Sequence, residues 1–146
     1  MKNRLILVVE DNPDHMELAV AALQEHAASA DISVARDGTE ALEYLFGQGR
    51  HAGRDAQIQP ALVLLDMQLP KLSGLEVLRR MRANPVTALT PVVMLTSSTE
   101  SMDVLACSQS GANSLIHKPV NFGLFSERLR GLQSYWLGGN EAATST

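Results

Sequence analysis

The 146-residue sequence holds a single cysteine, Cys107, which rules out an internal disulfide framework and a cysteine zinc site. It also lacks an excess of basic charge: 12 Lys and Arg stand against 16 Asp and Glu, a net charge of −4. A sequence-independent nucleic-acid binder needs a basic surface, so no nucleic-acid partner is expected. Long apolar runs are missing as well. The first, Leu5 to Val9, is too short for a signal-peptide core or a membrane span, so the chain reads as a cytoplasmic protein with no membrane association. What is present is ordinary for one soluble globular domain: 45% hydrophobic and 19% charged residues.

Three short apolar runs organise the chain, with two weaker ones. Leu5–Val9, Ala61–Leu65 and Pro91–Leu95 are unbroken and read as strands buried on both faces. Ser114–His117 and Ile32–Ala35 are shorter strand candidates. Helical patterns lie between them. Asn12 is a good N-cap, Pro13 suits the first helical position, and Met16, Leu18, Ala19, Val20 and Leu23 give an apolar face running to about Ala27. Asp37-Gly38-Thr39 reads as a turn and cap before a helix carrying Ala41, Leu42, Leu45 and Phe46. Leu75, Val77, Leu78 and Met81 mark a third helix, stopped by Pro85. Glu100–Ser110 reads as a fourth, ended by Gly111. Phe122–Leu137 reads as the last, with Leu124, Phe125, Leu129 and Leu132 on its core face. Residues 47–59 are polar and read as a long exposed loop, and residues 138–146 as a flexible tail. Strands alternating with helices predict an α/β fold, a doubly wound parallel sheet with helices on both faces.

In such a sheet, ligands bind beyond the carboxyl ends of the strands. Glu10 and Asp11 follow the first strand, Asp66 the third, Thr96 the fourth and Lys118 the fifth. Three converging carboxylates repel unless they are neutralised. Mg²⁺, which takes one or two carboxylates with waters and a phosphate, answers that need. A lysine is a compact positive charge suited to a phosphoryl oxygen, and an Asp carboxylate is a competent phosphoryl acceptor. Two enzyme-like readings fit poorly. An Asp-nucleophile phosphatase needs a general acid near the nucleophile, and the residue two positions on is Gln68. A flavin or nucleotide binder needs an anion-friendly glycine-rich loop after the first strand, where Glu10-Asp11-Asn12-Pro13-Asp14 is acidic. Cys107 and the methionines read as core filler, and His15, His26 and His51 as surface residues.

Val8-Val9-Glu10-Asp11-Asn12, Leu64-Leu65-Asp66-Met67-Gln68-Leu69-Pro70, Gly74, Val93-Met94-Leu95-Thr96-Ser97, Gly111-Ala112 and Lys118-Pro119 together resemble the receiver domain of two-component response regulators. The long 47–60 segment, Lys118-Pro119-Val120-Asn121-Phe122 and Tyr135-Trp136-Leu137 are similar to single-domain regulators of phytochrome histidine kinases. The resemblance implies a flavodoxin-like (βα)5 fold with strand order 2-1-3-4-5, a receiver domain over residues 1–137 and no output domain.

It also implies roles. Asp66 accepts phosphoryl from a sensor histidine kinase. Asp11 binds Mg²⁺ directly, Glu10 through water, and the Gln68 carbonyl completes the protein ligands alongside Asp66. Thr96 and the Ser97 backbone hold phosphoryl oxygens, Lys118 pairs with the phosphoryl group, and the Lys118–Pro119 bond is cis. Gln68 and Ser98 tune the lifetime of the aspartyl phosphate. The domain is a regulatory phosphoacceptor rather than an enzyme in purpose, and signals through altered protein contacts or a phosphorelay. One position departs from the family: Leu115 stands three residues before the lysine, where an aromatic ring usually couples to the threonine as a switch. That departure leaves open an adapter that binds partners without phosphorylation. Tyr135, Trp136 and Leu137 exceed one apolar stripe and predict an interface, with a homodimer through the face formed by the fourth helix, fifth strand and fifth helix.

Overall fold

A computed structural model describes residues 5–26, 30–97, 101–118 and 122–133. The elements alternate along the chain as β1 (Leu5–Val9), α1 (Pro13–His26), β2 (Asp31–Ala35), α2 (Gly38–Phe46), a single 3₁₀ turn (Gly49–His51), β3 (Leu62–Asp66), α3 (Gly74–Ala83), β4 (Val92–Thr96), α4 (Ser101–Gln109), β5 (Ser114–His117) and α5 (Phe122–Gln133). All neighbouring strand pairs are parallel, and the five-stranded sheet has the order β2-β1-β3-β4-β5. Fold class and strand order match those expected.

The apolar runs become strands because both sheet faces are covered. Successive side chains on a strand point to opposite faces. Ile6, Val8, Leu62, Leu64, Val93 and Leu95 therefore join Ala19 and Leu23 of α1 and Phe125 and Leu129 of α5 in one core. Leu7, Val9, Val63, Leu65, Val92 and Met94 join Leu45, Val77, Leu78, Met81 and Cys107 in the other. No helix among the described residues is long and apolar enough to cross a membrane.

The register places the rim. Val9 pairs with Leu65, so Glu10 emerges beside Asp66; Asp66 pairs with Leu95 and Thr96 with His117, so Thr96 and Lys118 come out at the same end of the sheet.

Several local expectations need correction. Residues 47–59 are largely exposed, as expected, but they are tied down by specific contacts. Gly47 closes α2 in the left-handed conformation (φ 62°), and the segment then folds back on that helix. The Arg54 guanidinium stacks 4.1 Å above the Tyr44 ring and donates to Tyr44 O at 2.8 Å and to Ile58 O. Gln59 Nε2 donates to Leu45 O at 2.9 Å, and Arg50 Nε pairs with Glu43 Oε1 at 2.6 Å. His51 is half-buried rather than exposed: its Nε2 lies 3.1 Å from Glu40 Oε2 and its ring meets Tyr44 edge-on. On α5 the buried set is Phe125, Ser126 and Leu129, whereas Leu124 is exposed; Ser126 turns inward to Glu25 of α1 at 3.4 Å. Met102 is exposed on α4, unlike the buried Met16, Met81 and Met94. Residues 98–100, 119–121 and 134–146 lie outside the described set, and with them Ser98, Pro119, Tyr135, Trp136, Leu137 and the tail; the His26 and Leu132 side chains lie outside it too.

Candidate functional site

The site assembles from four strand ends. Glu10 leaves β1 with its N–H donating to Ala35 O at 3.0 Å, and its side chain is buried at 2% exposure. Asp11 follows it, exposed at the rim. Asn12 then starts α1, where its Oδ1 accepts from the N–H groups of Asp14 (2.9 Å) and His15 (3.2 Å), the expected N-cap. The Asn12 N–H in turn donates to Glu10 Oε2 at 3.2 Å.

Asp66 ends β3, buried at 5% exposure, and its Oδ1 accepts from the Gln68 N–H at 2.9 Å. The chain then turns tightly through Lys71 (φ 68°) into α3, which begins against the Asp66 backbone. At Gly74 a Cβ would sit 2.0 Å from Asp66 O, so this helix start accepts no side chain. Thr96 ends β4 with 2% exposure, and its carbonyl accepts the Lys118 N–H at 2.8 Å. Ser97 is exposed and lines the same cleft.

Lys118 spans the site. Its Nζ lies 2.5 Å from Glu10 Oε1, pairs with Asp66 Oδ2, and also approaches His15 Nδ1 at 3.2 Å. Carboxylate oxygens of Glu10, Asp11 and Asp66 all fall within 4.8 Å of one another. Burial, with the neighbouring Asp66 adding to it, pushes the Glu10 carboxyl up to about 7 against the pull of Lys118. Burial works against the Lys118 ammonium, yet Asp66 and Glu10 outweigh it and hold the amine above the ordinary lysine range. Three carboxylates against one ammonium leave an excess of negative charge. These hard oxygen donors in a partly enclosed setting suit a divalent cation such as Mg²⁺, which therefore fits the residues present. An open cleft of about 900 Å³ lies above them, with apolar walls from Leu18, Leu69 and Phe125.

Glu10, Asp11, Asp66, Thr96 and Lys118 are thus brought to one rim, as the strand-end reasoning expected, and Gln68 lines the same cleft. Leu115 is half-buried on β5, paired with Met94 and packed on the core beneath α4. Cys107 is buried, with its thiol pushed up by burial and by Asp103, as befits a packing residue. His15 is exposed, as its sequence position suggested, but its contact with Lys118 was not foreseen. The available signal was its position four residues after Asp11, one turn into a helix whose phase Asn12 fixes.

The model for "Response regulator receiver domain" matches residues 6–130. Among curated proteins, response regulator Rcp1 of Synechocystis sp. is 33% identical over 134 residues, covering 92% of this chain and 89% of that protein. The solved Mn²⁺-bound form of Rcp1 superimposes with TM-score 0.83 over 92% of this chain and 94% of its own. The phosphorylated cyanobacterial phytochrome response regulator RcpA gives TM-score 0.85 at 32% identity, covering 93% and 95%. The bacteriophytochrome response regulator AtBRR is 43% identical with TM-score 0.75, covering 89% and 92%. The chain belongs to the response regulator receiver domain family.

Proposed function

We propose that this chain is a phosphorylation-dependent response regulator whose Asp66 accepts phosphoryl from a phosphohistidine of a sensor histidine kinase. An Asp66 carboxylate oxygen attacks phosphorus, the P–N bond to the donor imidazole breaks, and its electron pair returns to that ring. The observation that carries this reading is Lys118, held between Glu10 and Asp66 at the end of the phosphoacceptor strand. Its ammonium is placed to pair with phosphoryl oxygens, while the Thr96 hydroxyl and the Ser97 N–H hold others. Glu10, Asp11, Asp66 and the Gln68 carbonyl are the residues that would hold Mg²⁺. When bound, the ion supplies positive charge against the charge on the transferred group.

Phosphorylation then draws Thr96 toward the phosphoryl group, with Leu115 following as an aliphatic partner in place of a ring. The purpose is regulatory, and the self-catalysed transfer and hydrolysis set the lifetime of the signal. The cytoplasmic phytochrome class of kinase is favoured by the likeness to RcpA, Rcp1 and AtBRR. Output through a homodimer on the α4–β5–α5 face is supported by the exposed apolar side chains of Met102, Leu105 and Leu124.

The test is intact mass after incubation with a small phosphodonor and Mg²⁺, with Asp66→Asn and metal-free controls, followed by sizing of the same samples. A Mg²⁺-dependent gain of one phosphoryl group, absent in Asp66→Asn, is expected. No gain under conditions that label another receiver would favour the phosphorylation-independent adapter, to which Leu115 is the one pointer.

A further inference from the structure

We propose that His15 is a positioning residue for Lys118: its imidazole Nδ1 accepts the third hydrogen of the lysine ammonium and holds that ammonium at Asp66. This rests on the phosphoacceptor reading above. A lysine ammonium has three N–H donors and no acceptor. Two of the donors go to Asp66 and Glu10, and His15 Nδ1 stands 3.2 Å from the same nitrogen. Since the ammonium cannot accept, the contact makes Nδ1 the lone-pair nitrogen and leaves the ring proton on Nε2.

The ring is brought there by a built local unit. Asn12 takes the His15 N–H on its Oδ1 at 3.2 Å and gives its own N–H to Glu10 Oε2 at 3.2 Å. One asparagine therefore sets both the carboxylate and the imidazole that flank Lys118. The His15 side chain is 48% exposed and lines the open cleft, with its Nδ1 3.9 Å from Glu10 Oε1.

The chemistry explains why a third acceptor matters. When Asp66 becomes an acyl phosphate, Lys118 exchanges a carboxylate oxygen for a phosphoryl oxygen. Glu10 is also one of the residues that would hold the cation. The Asp66 acceptor changes during the reaction and the His15 acceptor does not. A four-carbon lysine stem is flexible, and a fixed acceptor on α1 limits its wandering.

The experiment compares wild type, His15→Leu and His15→Asn. Each is labelled with phosphoramidate at saturating Mg²⁺ and followed by intact mass. Mg²⁺ binding is titrated directly, and the tautomer of His15 is read from its ring nitrogen chemical shifts in wild type. The Asn Oδ1 falls where Nδ1 was and keeps the acceptor. His15→Leu is expected to slow labelling by about threefold to tenfold, the span of one hydrogen bond, and His15→Asn to recover most of it. Mg²⁺ affinity and donor KM should stay within about twofold, which a general loss of structure would not allow. The wild-type ring should carry its proton on Nε2. Leucine at the wild-type rate, asparagine as slow as leucine, or a proton on Nδ1 would each overturn the proposal alone. A wild-type protein that never labels would overturn the phosphoacceptor reading, and this proposal with it.

Discussion

Arg82 on α3 donates to Asn113 Oδ1 at 2.9 Å, and that same oxygen accepts the Val92 N–H at 2.8 Å, so one amide oxygen ties α3 to the start of β4. The rest of the Arg82 fork closes the α3–β4 connection, donating to Thr87 O (3.3 Å), Ala88 O (3.1 Å) and Thr90 O (2.8 Å), and reaches Gly111 O (2.9 Å) between α4 and β5. Replacing it with alanine strands several carbonyls at once. Arg82→Ala should lower stability by about 2–3 kcal/mol, given about 1.5–3 kcal/mol for hydrogen bonds to charged groups. The urea midpoint should fall at unchanged slope, and Arg82→Lys should recover only part of it, because a lysine lacks the planar fork. Labelling of Asp66 should be unchanged.

Gly74 predicts a different coupling. A Cβ there meets the Asp66 carbonyl, backbone against side chain, with no flexible atom to give way. Gly74→Ala should therefore reduce stability and slow phosphorylation together. The neighbouring cap separates the two effects. Ser73 Oγ accepts the Glu76 N–H at 3.2 Å, so Ser73→Ala should cost about 1 kcal/mol in the urea midpoint and leave the labelling rate alone.

Glu10 makes stability depend on pH near neutrality. Its folded carboxyl is pushed up to about 7, above the ordinary 4.5 it regains on unfolding. Between those values the folded state holds more protons, so stability falls as pH rises through that window. With divalent cations chelated, wild type should show this decline between pH 5 and about 7, and Glu10→Gln should flatten it. Mg²⁺ affinity should rise over the same interval, because the ion needs the ionised form.

Asp37 and Glu40 have the opposite sign. Burial opposes their charge, but backbone N–H groups together with Lys71 and Arg50 at Asp37, and with His51 and Arg50 at Glu40, hold both carboxyls below their ordinary values of 3.8 and 4.5. Their contribution is present above those values and is lost as pH falls through the depressed ones. In acid titrations below about pH 4.5, Asp37→Asn and Glu40→Gln should each unfold less steeply than wild type.

The strands were legible because burial on both faces leaves an unbroken apolar signature, as in Leu62–Leu65 and Val92–Leu95. The rim followed from the same signature, since the first polar residues after the three unbroken runs are Glu10, Asp66 and Thr96. What escaped was set by contacts between distant positions. Nothing local shows that Arg54 will lie over Tyr44, or that Gln59 will reach back to Leu45, so a polar insertion looked like free loop. Leu124 looked like core because it adjoins Phe125. The buried stripe instead runs through Phe125 and Leu129, four residues apart, which turns Leu124 outward and gives Ser126 a partner on α1. His15 was hidden for the same reason: its partner, Lys118, lies 103 residues along the chain.

Glu10, Asp66 and Thr96 hang from β1, β3 and β4, the three strands that the two helical layers enclose. Amide protons in such strands exchange with solvent only when the whole molecule opens, whereas those of rim loops exchange through local opening. The fold thus separates a slow-exchanging frame from a fast-exchanging edge. On the proposed function, phosphorylation at Asp66 would be read out by rearranging that edge, at a free-energy cost well below global unfolding.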